Sequence, residues 1–181
     1  MSSIRITTAH ARRFHRRATL LDAPAPDIAS ALAHLGYVQI DPINVCGRMQ
    51  DLILRNRVAD YREGGLTRHL HGEATTLRPD ERTAFEQHLP SAASGILVAL
   101  PLDAWPHVAA VARERGARKD AWSGRLHGEE RAVAEEVLRA IELRGPLSAE
   151  DFDDDRRAKA VWGAATLVKA TMQKLFFHGA C

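Results

Sequence analysis

Cysteine is almost missing from this chain. Cys46 and Cys181 are the two that occur, too few for a disulfide framework and wrongly spaced for a metal site. Aromatic residues are scarce as well. No apolar run approaches the length of a membrane span, and no hydrophobic segment follows the basic N-terminus as a secretory signal would require. A glycine-rich nucleotide loop and a nucleophile elbow are both absent. These gaps leave a soluble globular composition and predict a cytoplasmic protein that needs no metal and no cofactor. At 181 residues the chain is long enough to bury about 70% of its unfolded surface without covalent staples.

Charge of one sign is missing locally. Residues 1–21 contain Arg5, Arg12, Arg13, Arg16 and Arg17 and no acid, although the whole chain carries a formal charge of only +2. A solvated helix face accounts for such a run. So does an electrostatic footprint for phosphates, with Arg12 and Arg16 as the contacts.

What is present is mostly helical periodicity. Ala11, Phe14, Ala18 and Leu21 recur at spacings of three and four, opposite Arg12 and Arg16. Asp22 to Pro26 stops that helix. Asp27 then caps a second one whose stripe is Ile28, Leu32 and Leu35, closed by Gly36. Tyr37 to Asp41 reads as extended, with Pro42 holding Asp41 in that geometry. A third helix with Val45, Met49 and Leu52 completes a helix-turn-helix outline.

The middle is less regular. Gly64-Gly65 marks a loop, Arg82 to Leu89 reads as helical, and Ile96 to Leu100 fits a buried strand or a short helix. Asp103 opens a helix to about Arg115. The last third repeats the opening grammar. Val133, Ala134, Val137, Leu138 and Ile141 make one helix, Ser148 and Asp151 form a capping box, and Val161, Ala165, Val168, Met172, Leu175 and Phe176 line a final helix. The expected fold is mainly α with little β: tandem winged-helix units. The first spans 1–115, a connector spans 116–128, and an incomplete second spans 129–181. Phe177 falls opposite the final stripe, as though a wing or further domain were needed to cover it, so the chain reads as truncated before the wing. On that reading the fragment itself has no assured independent function.

The most informative stretch for chemistry is Val38-Gln39-Ile40-Asp41-Pro42. Side chains alternate along an extended segment, so Gln39 and Asp41 point one way while Val38 and Ile40 enter the core. An amide and a carboxylate held together can hydrolyse an N-glycosidic bond to an already activated base. The carboxylate stabilises the oxocarbenium-like sugar or acts as general base on a water that the amide orients. The same residues allow a plainer reading: Asp-Pro is a usual helix cap followed by proline at the first helical position, and Gln39 is then a surface residue. On the final helix Thr166, Ala170, Gln173 and Lys174 face outward with Lys169 at the edge. These types suit phosphate and base-edge contact, or simple solvation. His69 and His71 have metal-like spacing without supporting ligands.

The run Gly36 to Val45, continuing through Arg48, Gln50, Leu52, Leu54, Arg57-Val58 and Tyr61, resembles the signature of the AlkZ/YcaQ-type winged-helix DNA glycosylases. Similarity returns at Phe85-Glu86, Ala93-Ser94, Leu100-Pro101, Ala121 to Arg125, Gly145 to Ser148, and Lys169 through Gly179. The resemblance implies that Gln39 and Asp41 are the family's catalytic glutamine and aspartate. It also implies a monofunctional DNA repair glycosylase that releases N7-alkylated purines, crosslinked ones included, from double-stranded DNA without a cofactor. The implied architecture is tandem winged helices followed by a β-barrel-like domain. Many relatives carry a histidine where this chain has Ser91, which puts the family's substrate range in question here. A non-catalytic winged-helix DNA-binding protein or transcriptional regulator is the alternative.

Overall fold

The computed structural model describes residues 5–73, 77–89, 95–119, 123–158 and 165–180. Among these residues are seven α-helices and one three-stranded antiparallel sheet, so the chain is mainly helical with little β. Ser91 and Val161 lie outside the described residues. The chain divides into two units, Met1–Ala104 and Trp105–Cys181.

In the first unit α1 (Thr8–Ala18) begins where the Thr7 hydroxyl accepts the His10 N–H at 3.2 Å. It ends with His15, Arg16 and Arg17, favourable beside the negative end of the helix dipole. Periodicity predicts a buried stripe here, yet no residue of α1 is buried and Phe14 is 73% exposed. An amphipathic pattern only offers a face; burial requires a partner surface. Leu20 and Ala25, just beyond α1, do join the core.

The second helix follows the sequence closely. Asp27 accepts the Ser30 N–H at 2.7 Å at the start of α2 (Ile28–Leu35). Gly36 ends it at φ +81°, a conformation costly for any residue with a Cβ. Ala31 and Leu32 on α2 are fully buried, and they pack with Val38, Leu54, Leu66, Leu70, Ala84 and Ala99 into one core. Full burial of a leucine contributes about 1.5–3 kcal/mol.

Strand β1 (Val38–Ile40) follows, then α3 (Met49–Leu54), α4 (Gly65–His71), β2 (Ala84–His88) and β3 (Leu97–Pro101). Three expectations need correction. The third helix starts at Met49 and not near Pro42, leaving Val45 88% exposed. The segment expected to be helical over Arg82 to Leu89 holds strand β2 at Ala84–His88 and no helix. Gln87 lies 2% exposed and Phe85 and His88 partly buried, and antiparallel pairing with β3 stabilises the extended form. Gly64-Gly65 does not mark only a loop, since Gly64 at φ +73° caps α4.

The sheet order is β1-β3-β2. Val38, Ala99 and Glu86 form one row across it, and Gln39, Val98 and Gln87 form the next, on the opposite face. Ala99 and Val98 are both completely buried, so the central strand has no solvent-facing side.

The second unit holds α5 (Trp105–Ala117), α6 (Glu129–Arg144) and α7 (Leu167–Phe177). Val133, Ala134 and Val137 of α6 pack on Leu167, Val168 and Leu175 of α7. Gly145 at φ +84° stops α6. Ser148 and Asp151 then form the expected reciprocal cap, with the Ser148 N–H donating to Asp151 at 2.6 Å. The final helix starts at Leu167, later than its apolar spacing predicts, with Thr166 as cap.

Phe177 corrects another expectation. It is 1% exposed, and the Arg115 guanidinium stands 5.5 Å from its ring centroid, a cation–π arrangement. Because α7 packs against both α5 and α6, two of its sides are covered. Phe177 is therefore covered among the described residues.

Candidate active site

Gln39 is the middle residue of β1, half-buried, on the sheet face opposite Val38 and in the row of buried Val98 and Gln87. That face is not open solvent, as alternation alone would suggest. Gln39 makes no side-chain hydrogen bond among the described residues. Asp41 is the first residue after the strand and is also half-buried.

The carboxylate of Asp41 does not cap a helix, because α3 begins at Met49 with Arg48 as its cap residue. Instead its Oδ1 accepts the N–H of Ile43 at 2.9 Å, an Asx turn around Pro42. One oxygen is thereby held, while Oδ2 has no protein partner among the described residues. The Asp41 backbone N–H donates in turn to Gln50 Oε1 at 3.1 Å. Carboxylate orientation and carboxylate position are thus set by two separate bonds.

Gln50 and its neighbour Asp51 are 4% and 7% exposed, on the short α3. Asp51 Oδ1 accepts the Tyr61 hydroxyl at 2.6 Å and the Gly64 N–H at 3.0 Å. The same Tyr61 oxygen accepts the Leu66 N–H at 3.1 Å. Burial, then the bond to Asp51, push the Tyr61 phenol far above its ordinary value of 10. The group fastens α3 to the start of α4. Sequence reading places Gln50 in the family-like run but gives neither Gln50 nor Asp51 a role, because a polar pair next to apolar helix positions looks like a surface. Their burial becomes apparent only once Tyr61 and the Asp41 turn are placed around them.

The residues proposed to meet DNA fall out differently. Arg12 is exposed, and Arg16 is exposed with its guanidinium 2.7 Å from Asp22. Lys169 and Gln173 are exposed on α7. Lys174 is not on the outward face. It is 4% exposed, and its Nζ donates to both carboxylate oxygens of Glu130 at 2.9 and 2.8 Å. Packing of α7 against α6 turns that position inward, so Lys174 belongs to the interior of the second unit.

His69 and His71 do not converge on a metal. His69 Nε2 lies 2.9 Å from the Thr83 hydroxyl, and His71 Nε2 lies 3.7 Å from Glu86. Among the described residues no group of three or more His, Cys, Asp or Glu side chains is placed to hold a metal ion. Burial holds the His69 pKa below its ordinary 6.5, with Asp27 acting the other way. A cleft of about 630 Å³ lies beside it, bordered by Tyr61, Arg62, Arg68 and Glu73. No helix among the described residues is long and apolar enough to cross a membrane.

A model of the family described as DNA glycosylase AlkZ-like matches residues 32–180. That stretch takes in Gln39, Asp41 and Gln50 and leaves out α1. No curated protein and no solved structure matches the chain.

Proposed function

The chain belongs to the AlkZ-like DNA glycosylase family, and on that premise we propose that it hydrolyses the N-glycosidic bond of N7-alkylated purines in duplex DNA, crosslinked purines included, as a monofunctional enzyme. Asp41 is the proposed catalytic residue and Gln39 its partner. The observation that carries this reading is the Asp41 carboxylate, with one oxygen fixed by the Ile43 N–H and the other without a partner among the described residues.

The chemistry asks little more of the protein. Alkylation at N7 places positive charge on the purine, so the C1′–N9 bond breaks with its electron pair leaving on the base, which becomes neutral. The sugar acquires oxocarbenium character that the carboxylate stabilises electrostatically. A water oriented by the Gln39 amide adds to C1′ and gives its proton to Asp41. The products are the free base and an abasic site.

Around this centre, we read α2, β1, α3, α4 and the β2–β3 hairpin as a winged-helix unit, since a hairpin follows the third of those helices. Residues 129–181 are read as part of a second such unit. Arg12 and Arg16 on α1 and Lys169 and Gln173 on α7 are the proposed contacts to phosphates and base edges.

Full-length protein incubated with duplex containing N7-methylguanine or a nitrogen-mustard crosslink should generate abasic sites. Asp41→Asn keeps an oxygen for the Ile43 N–H but removes the charge and the base. It should lower the single-turnover rate by about 100-fold or more. DNA binding without base release would instead favour a non-catalytic DNA-binding protein or regulator. Release that survives Asp41→Asn unchanged would remove Asp41 from the mechanism.

A further inference from the structure

We infer that Gln50 is a positioning residue for Asp41, an inference that rests on the catalytic reading above. The Asp41 turn has few other restraints. Positions 42–46 are exposed, with Ile43 at 67% and Val45 at 88%, so packing does not hold them. Pro42 has no N–H to offer. Of the two remaining backbone donors in the turn, Ile43 N–H goes to the Asp41 carboxylate and Asp41 N–H goes to Gln50.

The first bond is internal to the turn and moves with it. The second ties the turn to the rest of the unit. Its acceptor is a side chain 4% exposed, on a helix that Asp51 fastens to Tyr61 and Gly64. Gln50 thus sets where the carboxylate stands, and Asp41 itself sets how it is turned. A displacement of the order of 1 Å can cost roughly 100-fold in rate where a catalytic group must meet a reacting atom.

A merely structural glutamine and a positioning one are separated by a double-mutant cycle. Single-turnover base release and lesion-duplex binding are measured for wild type, Gln50→Met, Gln50→Glu, Asp41→Asn and the Asp41→Asn/Gln50→Met double variant. Thermal melting is recorded for each. Gln50→Met removes the acceptor at similar volume and should slow release by about tenfold or more with binding within about twofold. In the Asp41→Asn background the same change should slow release less than about twofold, because no carboxylate remains to be placed. Gln50→Glu keeps the acceptor and should stay within about threefold of wild type, which keeps the question open to test even if Gln50→Met fails to fold. Equal losses in both backgrounds would overturn the proposal, as would a Gln50→Glu variant as slow as Gln50→Met. So would wild-type rates for Gln50→Met beside an impaired Asp41→Asn, which spares the catalytic reading. Wild-type rates for Asp41→Asn would overturn both.

Discussion

Lys174 and Glu130 show what a single burial decision does. The side chains are 5% and 17% exposed, so the Lys174 charge depends on Glu130 for compensation, while Glu130 also accepts the His127 N–H at 2.8 Å. Truncating one partner leaves the second charge buried and unpaired, at a cost of about 3–5 kcal/mol. Glu130→Gln should therefore lower the melting temperature sharply. Lys174→Met, which buries an apolar chain of similar length beside a carboxylate that retains some access to water, should be tolerated better. Equal melting of Glu130→Gln and wild type would mean that the pair contributes nothing. His69 supplies a second test at this scale. Its folded pKa lies below the ordinary 6.5 because the ring is partly buried. Below about 6.5 the unfolded chain takes up a proton that the folded ring resists. Stability is lost as pH falls through the window between the two values. Melting followed from about pH 7.5 to 5 should show that loss, and His69→Gln should make the slope shallower. A slope that the substitution leaves alone would remove His69 as the source of the loss.

Among elements, those legible in the sequence carried their own punctuation. Asp27 and Gly36 bracket α2, Gly145 stops α6, and the Ser148–Asp151 cap is written in the residue types themselves. The misread elements depended on partners. Residues 84–88 became strand through pairing with β3, and six-residue α3 has too little length for periodicity to register. Phe177 looked uncovered because spacing on one helix cannot reveal that two other helices flank it. The candidate site was half legible. Gln39 and Asp41 stand out because a short extended segment precedes a proline. Gln50 does not, since its part depends on a hydrogen bond spanning nine positions, which no local pattern announces.

For the whole molecule, the relevant measure is how binding responds to salt. The family match begins at residue 32, inside α2, so a DNA role for Arg12 and Arg16 rests on their charge and exposure alone. Each phosphate neutralised releases counterions and adds about −0.9 to the slope of log affinity against log salt. If both arginines contact duplex phosphates, replacing them with alanine should make the slope shallower by about 2 without lowering the melting temperature, because α1 buries nothing. A slope that does not move would leave α1 as a solvated helix and nothing more.

The turn after α7 has an optical consequence. Gly179, at φ +66°, passes so close to Trp105 that a Cβ there would stand 2.9 Å from the ring. Indole emission depends on what presses against the indole. Trp105, one of three tryptophans in the chain, is thus an intrinsic fluorophore at the place where the last helix turns, and its share of the emission should shift if that turn is displaced.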